Sequence, residues 1–561
     1  MADPGPIDLH FPVLHQYWMD SGLLGFYLLA KEAQRDHPEI EFRADETGVH
    51  LRGSGADLEV FLTDVYNVLL NDYYNTSTTK QKEENAGFYY DTEKDEFIRF
   101  PKAKPCGIAG LIFGKASRPT KEFTKYVKGG RKNLLPEPYT YLQERLDDFL
   151  RENNLKADGA IFLINGRNSY KPDVIISPSP ANSKKGSDKT CHICGEKSHK
   201  TSKISSTVLP MTGSGSGIKS FFSGCDNIDL VCWKCGYISK FVPVVGHYSV
   251  NNESTYIFLM YSQSFGKMIE IAPTLRSLTK CDENYFRNYE EQLGTYLQHP
   301  FEQFLSFLYT VYLQTCVLAP SQDDDNNEGE LDLESLYGIY IDRSPVSIYI
   351  LHVQKLGDAF AGKLVWNFTD SVYVYRLFHT LFTQGIDIKE AMKVLIDYEQ
   401  EKNETKTLVR NRICERVLKK QPVIDLFEPF AYHICRSKLK FIRPAYDFVL
   451  AYEQILAGED DMKQELINTA VSLGKTLGLT LGSEGMKARG DLFRLRKARK
   501  PADFLNEVNR IQMKYNVSVT ADLYNSGEEF DKNFAEFKQF CMVAALNSFN
   551  AKTSEKKIPG E

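Results

Sequence analysis

Tryptophan is scarce, at three residues in 561, and cysteine is sparse and odd in number at eleven. That cysteine density is far below that of a secreted disulfide scaffold, and an odd count excludes complete pairing, so the usage points to a reducing, cytoplasmic setting. No charge sign dominates either: 68 Lys and Arg face 74 Asp and Glu, a net of −6. The field of the whole molecule therefore does not advertise a polyanionic partner, and any nucleic-acid surface has to be local. Long apolar runs are missing as well. The most apolar stretch, 304–320, is interrupted by Ser306, Thr310, Gln314 and Thr315 and falls short of the roughly 20 residues that span a bilayer. It reads as a buried helix, and no membrane partner is expected. Residues 1–6 carry no basic stretch ahead of an apolar one, so no secretory leader is expected.

Catalytic signatures are missing too. The chain has no Gly-x-Gly-x-x-Gly, His-Glu-x-x-His or Gly-x-Ser-x-Gly motif and no His-Asp dipeptide. Residues 109–116 (AGLIFGKA) resemble a phosphate-binding loop but lack its first glycine and the Ser or Thr after Lys115. Asp323 to Asp325 lack the glycine and terminal glutamate of a calcium loop. These absences favour a binding protein over an enzyme.

What is present is an ordinary globular composition, 42% hydrophobic and 25% charged. Its length corresponds to about three to four domains at ~150 residues each. A dense apolar pattern over 15–32 predicts a helix packed on several sides, and 58–74 an amphipathic one. Two hairpins are signalled, 40–43 with 49–52 and 88–90 with 97–100, and a helix over 138–151 precedes strand-like runs at 160–164 and 174–176. Ser177 to Thr190 (SPSPANSKKGSDKT) has a linker composition. Further strand-like runs are 241–245, 256–261, 338–341 and 346–353, with the acidic stretch 321–330 between two of them. Beyond Asp387 helix punctuation takes over: Asp387 with Glu390 and Ser526 with Glu529 as capping boxes, and Pro444 and Gly458 as a helix start and stop. Phe530, Phe534, Phe537, Cys541 and Ala544 share one helical face. The expected fold is α+β: a mixed α/β N-terminal body with an inserted four-cysteine zinc-binding module and an all-α C-terminal helical bundle. The expected divisions are 1–176 and 241–385 for the body, 177–240 for the linker and insert, 386–550 for the bundle, and 551–561 as a disordered tail.

Cys191-His-Ile-Cys194-Gly and Cys232-Trp-Lys-Cys235-Gly have the same shape. A Cys-x-x-Cys turn points both sulfurs at one ion, and the glycine permits backbone amides to turn toward the thiolates. Two such knuckles complete a tetrahedral four-thiolate site for Zn2+, with 37 residues between Cys194 and Cys232. A redox dithiol expects one pair at a strand-to-helix junction, a context in which neither pair is expected to sit. Catalytic zinc needs an open position, which four thiolates do not leave. His192, His199 and Cys225 are alternative ligands, more simply read as neighbours. The expected role is structural, supplying folding free energy to a segment with little apolar core of its own.

Two segments are locally basic. Between 101 and 133 nine basic residues face one acidic residue, among glycines and Phe113, Phe123 and Tyr126, a composition suited to phosphates and stacked bases or, more plainly, to a solvated loop. Its candidate contacts are Lys115, Arg118, Lys121, Lys125, Lys128, Arg131 and Lys132. Between 485 and 500, Lys487, Arg489, Arg494, Arg496, Lys497, Arg499 and Lys500 face only Asp491 on a helix whose inward residues are Leu492 and Leu495. A weaker group is Arg410, Arg412, Arg416, Lys419 and Lys420. Asn165, Arg167 and Asn168 offer side chains that can read base edges.

A paired Cys-x-x-Cys-Gly insert in a chain with this layout, and the opening residues 18–25 (WMDSGLLG), resemble the large subunit of subtype I-B CRISPR surveillance complexes (Cascade), in the branch with a double CXXC motif. The resemblance implies a non-catalytic protein that contacts the guide RNA near its 5′ handle and recognises the protospacer-adjacent motif in double-stranded target DNA. It further implies support for opening the duplex, backbone and handle-capping subunits as partners, and a transiently recruited helicase-nuclease. Sequence is then read by guide pairing, while the protein reads a short motif and shape. On this reading 115–132 and the Asn165–Asn168 loop meet duplex or guide, and 487–500 meets the displaced single strand. The competing expectation is a zinc-stabilised scaffold of a protein assembly that never touches nucleic acid.

Overall fold

The computed structural model describes residues 5–73, 88–99, 107–112, 123–125, 135, 137, 139–154, 161–163, 174–178, 188–204, 208–210, 230–251, 253–280, 286–294, 296–314, 346–356, 359–437, 441–458, 460–519 and 527–555. The chain divides into two compact units. One spans Met1–Glu290 and Glu330–Thr369, the other Glu291–Gly329 and Asp370–Glu561. The first mixes strands and helices and the second is helical, as the α+β expectation requires. Helices Pro300–Tyr312 and Ser371–Thr383, which lie in the range assigned from sequence to the body, fall in the helical unit.

Unit one opens with β1 (Ile7–Pro12), α1 (Tyr17–Ala33), β2 (Glu41–Asp45), β3 (Gly48–Gly53) and α2 (Gly55–Tyr73). The strands form an antiparallel sheet in the order β1-β3-β2, with Leu9 opposite Leu51 and Phe11 opposite Val49. Leu9, Phe11, Val49 and Leu51 are all buried, so one face of the sheet is apolar and the other is wet. The predicted hairpin is β2–β3. Two small antiparallel pairs follow, β4 (Phe88–Asp91) with β5 (Glu96–Arg99), and β6 (Phe123–Lys125) with β7 (Ile161–Leu163). In sequence α3 (Gly107–Ile112) lies between the two pairs and α4 (Gln143–Glu152) between β6 and β7.

The cysteine region contributes β8 (Lys189–Thr190), β9 (Lys197–Ser198), β10 (Thr201–Lys203), β11 (Leu230–Cys232) and α5 (Trp233–Ile238). A second antiparallel sheet, β12 (His247–Asn251), β13 (Ser254–Tyr261), β14 (Ser347–Leu356) and β15 (Ala359–Phe368), pairs its strands in chain order, with α6 (Phe265–Ser277) after β13. In β13 every residue from Thr255 to Tyr261 is buried, so its apolar run does not alternate.

Two strand expectations are corrected. Residues 241–245 form a 3-10 turn at Val242–Val244, because Pro243 has no amide to give to a ladder. Val174 and Ile176 lie against the core outside any strand. The run 338–341, the acidic stretch 321–330 and Ser526 lie outside the described residues.

Unit two is built of α7 (Pro300–Tyr312), α8 (Ser371–Thr383), α9 (Ile388–Val394), α10 (Asn403–Lys406), α11 (Leu408–Leu418), α12 (Ile424–Ser437), α13 (Arg443–Ala457), α14 (Asp461–Ser483), α15 (Arg489–Lys497), α16 (Pro501–Tyr515), α17 (Gly527–Lys532) and α18 (Phe534–Glu555). The predicted punctuation is present. The Asp387 carboxylate accepts the Glu390 amide at 3.1 Å, Pro444 stands in the first turn of α13, and Gly458 ends it at φ 58°. Phe530, Phe534, Phe537, Cys541 and Ala544 are all buried, although a turn at Asn533 splits the expected single helix. Every residue from Phe540 to Leu546 is buried, so α18 is the central helix. It runs in the same direction as α14. A Cβ on Gly474 or Gly478 would stand 2.2 Å from the Cys541 carbonyl or 2.4 Å from that of Ala545, so these backbones approach as only glycine allows. Among the described residues no helix is long and apolar enough to cross a membrane.

Candidate metal centre and the basic segments

The first knuckle is the turn between β8 and β9. The Cys191 amide donates to the Glu196 carbonyl at 2.8 Å and the Gly195 amide to the Cys191 carbonyl at 2.9 Å, with Gly195 at φ +76°. This is the left-handed backbone that the knuckle glycine was expected to supply. The second knuckle is built differently. Cys232 ends β11 and caps α5, its sulfur accepting the Cys235 amide at 3.4 Å, and Gly236 lies inside the helix without a positive φ. The expectation that neither pair sits at a strand-to-helix junction is therefore corrected for Cys232 and Cys235.

The four sulfurs nevertheless converge, each within 4.8 Å of the others, and Cys194 Sγ lies 3.7 Å from Cys232 Sγ. Ligands at about 2.3 Å from a tetrahedral ion stand roughly 3.7–3.8 Å apart. The cluster thus fits a metal ion such as zinc, with Cys191, Cys232 and Cys235 buried and Cys194 half-buried. Hydrogen bonds from Cys194, Cys232 and Cys235 draw the Cys191 thiol below its ordinary value. The hydrogen bond with Cys191, aided by burial, pushes Cys235 up. An ion bound there would take all four as thiolates. Neither histidine joins the cluster: His192 Nδ1 accepts the Leu230 amide at 3.2 Å, and His199 Nε2 lies 3.0 Å from the Ser177 hydroxyl. Cys225 lies outside the described residues.

The expected lack of apolar support is corrected as well. Trp233, Tyr237 and Ile238 of α5 are buried in the main core of unit one. The Trp233 ring meets Phe11 edge-on at 6.0 Å, Tyr237 meets Phe26 at 5.7 Å, and the Tyr237 hydroxyl donates to the Leu62 carbonyl at 2.7 Å. Lys234, between the cysteines, donates to the His10 carbonyl at 2.9 Å and pairs with Glu196 of the first knuckle.

On the other side stands α1. A Cβ on Gly22 would lie 2.5 Å from the Ile238 carbonyl oxygen, and one on Gly25 would lie 2.2 Å from that of Phe241. Asp20, buried in the same stretch, accepts the amides of Leu14 at 2.8 Å and Gln16 at 2.9 Å, which fixes the turn into α1. Burial raises its carboxyl against those bonds. The opening motif and the second knuckle are thus neighbours, a pairing for which the sequence carries no signal.

Of the candidate contacts in the first basic segment only Lys125 is described, at the end of β6 opposite Ile161. Lys115, Arg118, Lys121, Lys128, Arg131 and Lys132, with Asn165, Arg167 and Asn168, lie outside the described residues. The second segment is described in full. Leu492 and Leu495 point inward as expected. Arg496 is engaged within its unit, pairing with Glu428 through two bonds of 2.6 and 3.1 Å and lying 3.8 Å over the Tyr432 ring. Arg489 donates to the carbonyls of Cys435 and Arg436. Lys487, Arg494, Lys497, Arg499 and Lys500 are exposed. Asp491 does not oppose them, because it is buried under Arg510 and Lys514, each at 2.8 Å, and Tyr515 at 2.6 Å.

The weaker basic group loses one member to the core, while Arg412 stays exposed. Arg410 is fully buried, donating to Glu302 at 2.7 Å and to the Tyr296 carbonyl at 2.7 Å. Arg416 pairs with Asp425, Lys419 with Glu415 and Lys420 with Asp370. Sequence reasoning also missed a second group of potential ligands in unit two, Asp397, Glu399 and His433, because the histidine is remote in sequence and the carboxylates are two of many. No protein-family model and no curated protein matches the chain.

Proposed function

We propose that this chain is the non-catalytic large subunit of a type I-B CRISPR RNA-guided surveillance complex, working in the cytoplasm with Zn2+ as a structural ion. Its expected roles are contact with the guide RNA handle region, recognition of a short motif in target DNA and support of strand opening. The carrying observation is that the two stretches on which the family resemblance rests form one device: Gly22 and Gly25 of the opening motif lie against the backbone that leaves the second knuckle. Five exposed cations at 487–500, with their one acidic neighbour neutralised from within, support a role in holding the displaced single strand.

The test is filter binding of the full chain in magnesium, with and without a guide-bearing backbone complex. Guide-dependent DNA binding without cleavage is expected. Cleavage would make the chain a nuclease, and no binding under either condition would make it a scaffold. Reversing the charge of Lys487, Arg494, Lys497, Arg499 and Lys500 should flatten the dependence of log affinity on log salt by about 3.5, at ~0.7 per single-strand phosphate. An unchanged slope removes this surface from the interface.

A further inference from the structure

We infer that unit two carries a second divalent-cation site, formed by Asp397, Glu399 and His433 and different in chemistry from the cysteine cluster. Asp397 and Glu399 lie in the segment between α9 and α10, and His433 stands on α12. His433 Nε2 lies 3.5 Å from an Asp397 carboxylate oxygen and 3.7 Å from one of Glu399, and the three ligand atoms are mutually within 4.8 Å. Nitrogen and oxygen ligands at about 2.0–2.2 Å from a tetrahedral ion stand roughly 3.3–3.6 Å apart, so the two separations from His433 need little adjustment.

The arrangement is held from behind, as metal ligands usually are. The Asp397 side chain is only 10% exposed. One of its oxygens accepts the Glu399 amide at 3.1 Å and the other accepts Gln400 Nε2 at 3.1 Å. His433 comes from a 14-residue helix, which fixes its backbone. In front, Asp397 and His433 line a cavity of about 400 Å3 together with Gln400, Arg412, Asp425 and Phe430. Two of the three ligands face that space, which leaves coordination positions open to water or to an oxygen-bearing ligand. One imidazole and two carboxylates suit zinc or manganese, whereas four thiolates exclude manganese in favour of zinc. That difference lets the two sites be counted separately.

The same distances would arise from a protonated His433 held between two carboxylates, and the experiment separates the two cases. The full chain, carrying one equivalent of zinc for the cysteine cluster and no excess, is titrated with Mn2+, and bound metal is followed by electron paramagnetic resonance and calorimetry. One Mn2+ per chain is expected, unchanged in Cys194→Ser and weakened at least about tenfold in His433→Gln and Glu399→Gln. Both of these side chains are partly exposed, and thermal melts of the variants check that the fold survives. Absence of Mn2+ binding at millimolar concentration, or equal affinity in wild type and both variants, overturns the site. The result is independent of any nucleic-acid activity.

Discussion

The two knuckles share the pattern Cys-x-x-Cys-Gly, yet the chain folds them differently. The first is a reverse turn between short strands, with His192 exposed, Ile193 half-buried and Gly195 in the left-handed region. In the second, a strand runs straight into a helix, Trp233 is buried and the glycine is helical. The pattern therefore specifies ligands and leaves the backbone to its neighbours. Leu230 and Val231 continue a strand, and Tyr237, Ile238 and Phe241 supply a larger apolar anchor than the half-buried Ile193 gives the first knuckle. An ion at the four sulfurs would tie the hairpin of the first knuckle to a core helix.

The largest effect follows from removing that tie. Chelation should release one zinc per chain and lower the melting temperature of unit one, since structural zinc contributes about 10–16 kcal/mol in small modules with no core of their own. Here the loss is smaller because α5 keeps its apolar contacts. Cys194→Ser and Cys232→Ser should both lose the ion by elemental analysis, with the buried Cys232 costing more in thermal stability. Retained zinc in both variants would refute the four-ligand assignment.

Next is the anchor. Trp233→Ala should cost about 3–5 kcal/mol in urea unfolding, the usual range for emptying a buried aromatic site. His192→Ala, its counterpart in the first knuckle, should cost about 1 kcal/mol, the loss of an exposed ring and its bond to the Leu230 amide. Equal costs would mean that the two knuckles are embedded alike. Gly25→Ala tests the other side of the same anchor. The new methyl would meet backbone at Phe241 and side chain at Val244, so overpacking of about 1–3 kcal/mol is expected, with α1 displaced from the 3-10 turn that follows α5. A neutral substitution would show that α1 can shift without cost.

Legibility follows the distance over which the physics acts. The ligands were readable because each pair closes within four residues, and the helices of unit two because caps such as Asp387 and Gly458 act within one turn. Strand β1 was missed although Ile7, Leu9 and Phe11 alternate, since its Pro12 is a weak strand signal that only an edge position tolerates. Arg410 was misread outright. Its partner Glu302 lies 108 residues away, so local spacing shows a basic cluster where the fold buries an ion pair. The same holds for the approach of Gly22 and Gly25 to the second knuckle, which depends on tertiary contact alone.

The smallest predicted effect is the most discriminating, because it changes sign between the knuckles. A Cβ at either Gly195 or Gly236 would meet nothing within 4 Å, so crowding plays no part in either case. What differs is the backbone. Gly195 sits at φ +76°, where an L-residue pays about 1–2 kcal/mol, so Gly195→Ala should lower stability by that amount. Gly236 lies inside α5, where alanine is favoured over glycine by about 0.5–1 kcal/mol, so Gly236→Ala should raise stability slightly and leave zinc content unchanged. Urea midpoints of the two variants against wild type read the signs directly. Losses of equal size would mean that the second knuckle also needs a left-handed glycine, and the contrast between turn and helix would collapse.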